Sequence, residues 1–306
     1  MSTLAQDVPV PSARELAPIQ RERKRRWTYY VLPVFSAGFF LYLLIPIAFM
    51  VVYSFNQSHS ALPQVTSKWQ GFTTQWYREW NGVPDLTPAF FLSIKLALFA
   101  TVISATIGTL LALALVRYRF RGRAVTEQVM FANIAAPEIV LGASLLGFFI
   151  TINLDRGFTT LAIAHVMFCV AYVTITVRAR LSGFDPMLEQ AAQDLGATPW
   201  VTFWKVTLPL IFPGILAGAL LAFALSIDDF VTSNFVAGRS VTFPLWVYGA
   251  VKVGIPPQVF VLGTAIFLAG LTLAILALVF QGRGKKDSET ESETSRAGEK
   301  RRTAAS

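Results

Sequence analysis

Long apolar runs alternate with polar segments along most of this sequence. Each run reaches roughly the 20 residues that a helix needs to cross a lipid bilayer, and the six runs fall at about 31–55, 90–116, 128–152, 158–177, 210–235 and 257–280. The first run is too long for the core of a cleaved signal peptide, which has about 7–15 apolar residues. The pattern therefore predicts an all-α, polytopic membrane protein with six transmembrane helices.

Polar segments at both ends frame this membrane domain, which we place at 27–280. Residues 1–26 form a basic tail that ends in RERKRR. Residues 281–306 are rich in Lys, Glu, Ser and Thr, a composition that buries too little apolar surface to fold and predicts disorder. The organisation expected is one membrane domain between two tails.

The composition agrees with this class of protein. The chain is 54% hydrophobic and 14% charged, whereas soluble domains carry about 25% charged residues. Cys169 is the single cysteine and lies inside an apolar run, so no disulfide within the chain and no Cys/His metal spacing is possible. We expect no metal site, and we interpret Cys169 as a small buried apolar residue.

Lysine and arginine residues predict the orientation in the membrane. With the N-terminus in the cytoplasm, the inner segments hold the clusters at 21–26 and 117–123, Arg178, Arg180, Lys205 and the basic tail. The outer side then holds Lys68, Arg78, Lys95, Arg156, Arg239 and Lys252. Because cytoplasmic loops carry the excess of basic residues, both termini are expected inside. Topology thus accounts for the net charge of +8, and no nucleic-acid partner is needed.

The segment 184–209, FDPMLEQAAQDLGATPWVTFWKVTLP, is polar and carries its own helix signals. Asp185 suits a helix N-cap, and Gly196 suits the left-handed position after a helix end. Thr198 and Pro199 repeat the start signal for a second short helix. Small residues in the middle allow another surface to approach. We interpret the segment as a docking loop, and a solvated connection between spans is the alternative.

Three acidic residues in the apolar runs are candidates for a solute path, since ionisable groups at membrane depth are costly and often functional. Glu138 follows Pro137 near the middle of the third run, where the proline can bend the helix. Asp228 and Asp229 lie near the outer end of the fifth run, where they would concentrate a cationic solute. The structural alternative for Glu138 is a carboxyl group hydrogen-bonded to a neighbouring helix. Because consecutive helical positions do not share a face, we expect only one of the two aspartates to face the path and the other to cap a helix end or reach the headgroups. His165 has no second metal ligand nearby and is expected to be a hydrogen-bonded structural residue.

The sequence contains no catalytic motif. It lacks a GxxxxGK[ST] nucleotide-binding loop, and no serine, cysteine or carboxylate pairs with a base on a water-accessible loop. We therefore expect neither catalysis nor a bound cofactor in this chain. An energy-coupled transporter built from it would need a separate ATPase that binds ATP and Mg²⁺.

The docking loop resembles the cytoplasmic "EAA" loop of permease subunits of ATP-binding-cassette (ABC) importers, through AAQDLG followed by VTLP. The family's glutamate, six residues before the glycine, falls on Gln190, and Glu189 stands one place earlier. We expect the contact that this glutamate makes in the family to be made here by Gln190 or by Glu189. The resemblance implies an ATPase-coupling loop formed by Glu189, Gln190, Ala191, Ala192, Asp194, Gly196, Leu208 and Pro209, with Val206 also matching.

Four further segments resemble the permeases of spermidine/putrescine importers: QWYREW (75–80), PEIVLG (137–142), LAFALSIDDFVTSNFVAG (221–238) and FPLWVYGAVKVGIPPQV (243–259). This resemblance implies the fold of a type I ABC importer permease in a bacterial inner membrane. It also implies a heterodimeric pore with a second permease, two cytoplasmic ATPase subunits and an external solute-binding protein. The solute would be a polyamine that crosses by alternating access.

Three other hypotheses stay open. The chain is an importer permease for a non-polyamine solute, a stand-alone proton-coupled secondary transporter that uses Glu138, Asp228 and Asp229, or a non-transporting membrane scaffold. A secondary transporter needs no docking loop, and it would transport as a single chain in liposomes with a proton gradient. A scaffold would tolerate loss of the acids except for effects on stability.

Overall fold

The computed structural model describes residues 26–57, 69–183 and 185–276, and their side chains from residue 31 onward. These residues form twelve α-helices and an isolated antiparallel bridge between Asn56 and Phe72. The helices are α1 (Arg26–Tyr53), α2 (Gln75–Arg78), α3 (Leu86–Arg117), α4 (Arg123–Ala135), α5 (Glu138–Thr151), α6 (Phe158–Ser182), α7 (Met187–Asp194), α8 (Pro199–Thr202), α9 (Leu208–Asp228), α10 (Val231–Val236), α11 (Phe243–Val251) and α12 (Pro257–Leu276).

Five helical segments are long and apolar enough to cross a membrane, and the bent pair α4 and α5 makes a sixth if it counts as one span. Where the structure describes them, the six apolar runs of the sequence are thereby confirmed as mainly helical. The five segments are Val31–Tyr53, Leu86–Arg117, Phe158–Ser182, Pro199–Asp228 and Pro257–Leu276.

The third apolar run is not one helix, which corrects the prediction for 128–152. Its two halves, α4 and α5, meet at an angle of 111°. Ala136 is extended, with φ −70° and ψ 138°, and Pro137 follows with ψ 130°. A residue before proline is driven out of the helical conformation because the proline ring crowds its backbone. The chain therefore breaks rather than bends, and α5 restarts at Glu138.

The fifth apolar run also ends earlier than 210–235 predicts. Helix α9 stops at Asp228, Asp229 is extended with ψ 116°, and α10 begins after it as a separate helix. The side chain of Asp229 accepts hydrogen bonds from backbone N–H groups of Thr232 and Ser233, so a new helix start replaces continuation. Helix α11 was not predicted, because its residues lie between the fifth and sixth apolar runs.

The chain divides into two units, residues 1–49 and 50–306. In the first unit, the described part of α1 is apolar and its side chains are largely exposed. The predicted tails, except Arg26, lie outside the described residues, as do 58–68, Phe184 and the last positions of the sixth run, 277–280.

Helices α3, α6 and α9 pack against one another and form the core of the second unit. Glycines allow two of these contacts to be close. A Cβ atom added to Gly108 of α3 would lie 2.8 Å from the Cβ of Val173 in α6, and one added to Gly214 of α9 would lie 2.7 Å from the Cβ of Arg180. Small residues at such crossings let helix backbones approach in a membrane.

We predict that Gly108→Val destabilises the protein by about 1–3 kcal/mol, the usual cost of overpacking. The added side chain would collide with Val173 and separate α3 from α6. The midpoint of thermal unfolding in detergent measures the effect. Gly147→Val is the matched control, because a Cβ at this helical glycine meets no atom within 4 Å. Equal midpoints for the two variants would contradict the packing argument.

Candidate functional site

A cavity of about 330 Å³ brings together the three acidic residues that the sequence singled out. Glu138, Asp228 and Asp229 all line it. They come from two distant parts of the chain, and each lies at a helix break: Glu138 opens α5, Asp228 closes α9, and Asp229 lies between α9 and α10. The two breaks that the sequence did not predict therefore build the site.

Helix ends add to the electrostatics of this cavity. Residues at the end of α4, Ile134 and Ala136, line it, as does Asp228 at the end of α9. The C-terminal end of a helix carries a partial negative charge, and the N-terminal end a partial positive charge. Glu138 and Asp229 stand at the starts of α5 and α10 and offset those positive ends. Among the described residues that line the cavity, none is lysine or arginine, so the site favours a cation.

Aromatic side chains complete the cavity wall. Phe168 and Tyr172 from α6 and Phe230 from the α9–α10 break line it with the acids. Asn133 of α4 is held on the wall because its Nδ2 donates to the backbone oxygen of Met167, 2.9 Å away. Aromatic faces attract ammonium groups and also accept alkyl chains, so this wall suits a cation with apolar segments.

The two adjacent aspartates have different surroundings. The side chain of Asp229 is 7% exposed, and its carboxylate accepts hydrogen bonds from the N–H groups of Thr232 (3.3 Å) and Ser233 (2.7 Å). Asp228 is exposed, and it also borders a second, apolar cavity of about 460 Å³ that Phe243 and Tyr248 line with it. Asp229 is thus engaged in the helix start, and Asp228 faces open space.

His165 lies beside this break, fully buried on α6. Its Nδ1 is 2.7 Å from the hydroxyl of Ser226 in α9, and its Nε2 is 3.0 Å from the hydroxyl of Ser233 in α10. The sequence predicted a hydrogen-bonded structural histidine, which this geometry confirms, but it gave no indication of the two serine partners. Within the described ranges, no group of three or more His, Cys, Asp or Glu side chains is arranged to hold a metal ion.

The docking loop folds as two short helices. Asp185 Oδ1 accepts a hydrogen bond from Met187 N at 3.0 Å and so caps α7. Gly196 has φ +88°, the left-handed conformation expected there. Thr198 Oγ1 accepts from Val201 N at 3.4 Å and starts α8 with Pro199. The helix signals of this segment are confirmed, and α8 continues through a π-helical turn, Phe203–Thr207, into α9.

Glu189 makes its contacts within the chain. Its carboxylate forms an ion pair with Arg117, the last residue of α3, and accepts a hydrogen bond from Thr207. Arg117 Nη2 also donates to Thr207 Oγ1 at 3.3 Å. This Arg117–Glu189–Thr207 cluster ties α7 to α3 and to the turn before α9. Of the other coupling-loop candidates, Ala192 and Leu208 are half-buried, while the exposed ones are Gln190, Ala191, Asp194, Gly196 and Pro209.

Large apolar side chains project from the same loop. Leu195 is 90% exposed, Trp200 is 70% exposed and Met187 is 68% exposed. Exposed apolar patches with a polar surround are typical of protein–protein contacts. The docking loop is therefore held to Arg117 and Thr207 through Glu189, and it presents an apolar outer surface.

Comparisons with known proteins identify the family. Residues 104–284 match the family model described as "binding-protein-dependent transport system inner membrane component". The chain belongs to this family. It is a multi-pass membrane protein and the permease subunit of an ABC importer.

Curated relatives cover most of the permease. The spermidine/putrescine transport system permease protein PotC of Escherichia coli (strain K12) is 40% identical over 242 residues, which is 79% of this chain and 90% of that protein. The putrescine transport system permease protein PotI of the same organism is 36% identical over 267 residues, or 85% of this chain and 93% of that protein.

Solved structures support the fold of a type I importer permease. The crystal structure of a bacterial ABC transporter involved in the import of the acidic polysaccharide alginate matches with a TM-score of 0.63. The match covers 85% of this permease and 96% of that chain at 16% identity. At this identity the likeness concerns the fold alone.

We predict that Asp229→Ala lowers the stability of the permease by about 0.5–2 kcal/mol, the usual cost of losing a helix cap. Two N–H groups at the start of α10 would lose their acceptor. Thermal unfolding in detergent measures the loss. Asp228→Ala is the control and should unfold near the wild-type midpoint, since that side chain is exposed. A larger loss in Asp228→Ala would contradict the difference between the two aspartates.

Proposed function

We propose that this permease moves polyamines of the spermidine and putrescine type, or a similar cationic solute, across the inner membrane by alternating access. The observation that carries the proposal is the cavity in which Glu138, Asp228 and Asp229 converge without a lysine or arginine in the lining. The similar proteins PotC and PotI, which are spermidine/putrescine and putrescine permeases, support the same class of solute.

The chemistry of the cavity fits a polyamine in two respects. Polyamines carry ammonium groups separated by methylene chains. Glu138 and Asp228 are exposed carboxylates for the ammonium groups. Phe168, Tyr172 and Phe230 offer aromatic faces for both the ammonium groups and the methylene chains. A purely apolar or anionic solute would gain nothing from the acids.

The assembly that we propose follows from the exposed docking loop. The permease would pair with a second permease, contact two cytoplasmic ATPase subunits that bind ATP–Mg²⁺, and receive solute from an external binding protein. The chain itself would bind no cofactor and hydrolyse no ATP. The family description supports the binding protein, and the exposed Leu195 and Trp200 support a protein contact at the loop.

The distribution of basic residues supports the orientation of this assembly. With both termini and segment 184–209 in the cytoplasm, most Lys and Arg residues lie inside. The domain organisation stays a prediction from sequence: a basic tail at 1–26, a six-helix permease domain at 27–280 and a disordered tail at 281–306. In this orientation, closure of the ATPase dimer would push on α7 and α8. The Arg117–Glu189–Thr207 cluster would pass that motion to α3 and α9.

We predict that ATPase activity of the reconstituted importer rises when its binding protein carries spermidine or putrescine. The proteoliposomes would contain this permease, its partner permease and the ATPase. The binding protein would be added with spermidine, putrescine or a neutral sugar, and phosphate release would be measured. Stimulation only by the sugar-loaded binding protein would agree with an ABC importer but would contradict a polyamine as its solute. Uptake by this chain alone, driven by a proton gradient, would favour a secondary transporter.

Asp228→Asn provides the site-specific arm of this experiment. Loss of the carboxylate should raise the spermidine concentration for half-maximal uptake by about three- to tenfold, as expected for one charge-assisted contact. Asp155→Asn is the matched control, an exposed aspartate outside the cavity lining. If Asp228→Asn takes up spermidine as the wild type does, Asp228 is not part of the solute path.

We predict that Gly196→Val uncouples transport from ATP hydrolysis while the protein still inserts and assembles. A β-branched side chain at φ +88° is strained by roughly 1–2 kcal/mol. The strain would displace Leu195 and the end of α7, and polyamine uptake per ATP hydrolysed should fall on the order of tenfold. Uptake and phosphate release would be measured on the same proteoliposomes.

Gly122→Val is the matched control for backbone strain. Gly122 has φ +94°, and a Cβ there, as at Gly196, meets no atom within 4 Å. It lies in the connection between α3 and α4 rather than in the docking loop. An equal loss of coupling in both variants would show that strain in any loop is sufficient, and it would refute the specific role of Gly196.

A further inference from the structure

One side chain from a third helix joins the two helices on either side of Asp229. His165 of α6 contacts Ser226 in the last turns of α9 through Nδ1 and Ser233 of α10 through Nε2. All three side chains are buried. These two contacts add to the hydrogen bond from Thr160 of α6 to the backbone oxygen of Val236 in α10 and to the bonds of Asp229 to the start of α10.

The carboxylate of Asp229 sets the direction of these hydrogen bonds. Its Oδ2 lies 3.5 Å from Nε2 of His165. In an uncharged imidazole, one nitrogen donates and the other accepts. The nearby carboxylate favours the tautomer with the proton on Nε2, so Nε2–H donates to Ser233 Oγ and Nδ1 accepts from the hydroxyl of Ser226.

This arrangement restrains Asp229 far more than its neighbour. Oδ2 of Asp229 accepts from Ser233 N, and the hydroxyl of the same serine receives the bond from His165. A shift of Ser233 would therefore disturb the carboxylate directly. Asp228, by contrast, is exposed and lines the cavity.

We propose that His165 is a positioning residue for the solute path. By joining Ser226 to Ser233 across the break, it holds Asp229 in the helix start and on the cavity wall, where this carboxylate attracts the cation independently of Asp228. His165 is not among the residues that line the cavity, so it acts through Asp229 and not on the solute. The proposal rests on the proposed transport function, because it concerns the same cavity.

A double-mutant cycle tests this role in the complete reconstituted importer, with radiolabelled spermidine as the probe. His165→Ala and Asp229→Asn should each raise the half-saturating concentration by roughly three- to tenfold. The double variant should be no worse than the weaker-binding single variant, since both changes act on the same interaction. In the pair His165→Ala and Asp228→Asn, the fold-changes should multiply.

Two results would overturn the proposal: fold-changes that multiply in both pairs, or wild-type half-saturation in His165→Ala. Failure of the transport function itself looks different. In that case the wild-type importer shows no saturable spermidine uptake, or Asp228→Asn leaves the half-saturating concentration unchanged.

If His165→Ala does not fold, two serine variants, Ser233→Ala and its control Ser104→Ala, test the same proposal. Ser233→Ala removes one bond of the bridge and should raise the half-saturating concentration. Ser104→Ala is the matched control, because Ser104 is equally buried and donates to the backbone oxygen of Val166 in α6 at 3.4 Å. This control should bind spermidine as the wild type does, and equal shifts in the two serine variants would refute the positioning role.

Discussion

Lipid offers no hydrogen-bond partner to the backbone, and this constraint governs the structure. A helix that breaks inside a membrane exposes N–H and C=O groups that the protein or a water-filled cavity must satisfy. This permease breaks two helical runs, at Ala136–Pro137 and at Asp229, and places both breaks on one cavity. Asp229 satisfies backbone groups at one break directly. Both breaks therefore place irregular backbone on the cavity that we propose as the solute path.

The same constraint explains why two neighbouring acids differ. A carboxylate that accepts two backbone N–H bonds, as Asp229 does, has part of its hydrogen-bonding capacity occupied. Its neighbour Asp228 ends α9, where the partial negative charge of the helix end adds to its own. One aspartate therefore completes the fold while the other extends the negative potential into the cavity. A pair of identical residues need not form a pair of identical sites.

The sequence predicted the features that local chemistry determines. Apolar runs located the helices, and Asp185 and Gly196 fixed the ends of α7, because caps depend on residues within a few positions. The sequence also selected the three acids, since charges in apolar runs are rare. It did not predict the 111° angle at Ala136–Pro137 or the serine partners of His165. Pro137 is a local signal for the break but does not encode its angle. The serine partners depend on packing between α6, α9 and α10, which no local pattern encodes.

A continuous helical segment links the docking loop to the cavity. Residues Pro199–Asp228 form one apolar helical stretch of 30 residues, which at 1.5 Å per residue spans about 45 Å. One end carries the exposed Trp200, and the other carries Asp228. The π-helical turn Phe203–Thr207 lies near the loop end, where Arg117 and Glu189 hold Thr207. A packed helix transmits displacement along its axis with little compression. In the coupling that we propose, motion applied at the loop would reach Asp228 through α9 itself, and the Arg117–Glu189–Thr207 cluster would carry it to α3.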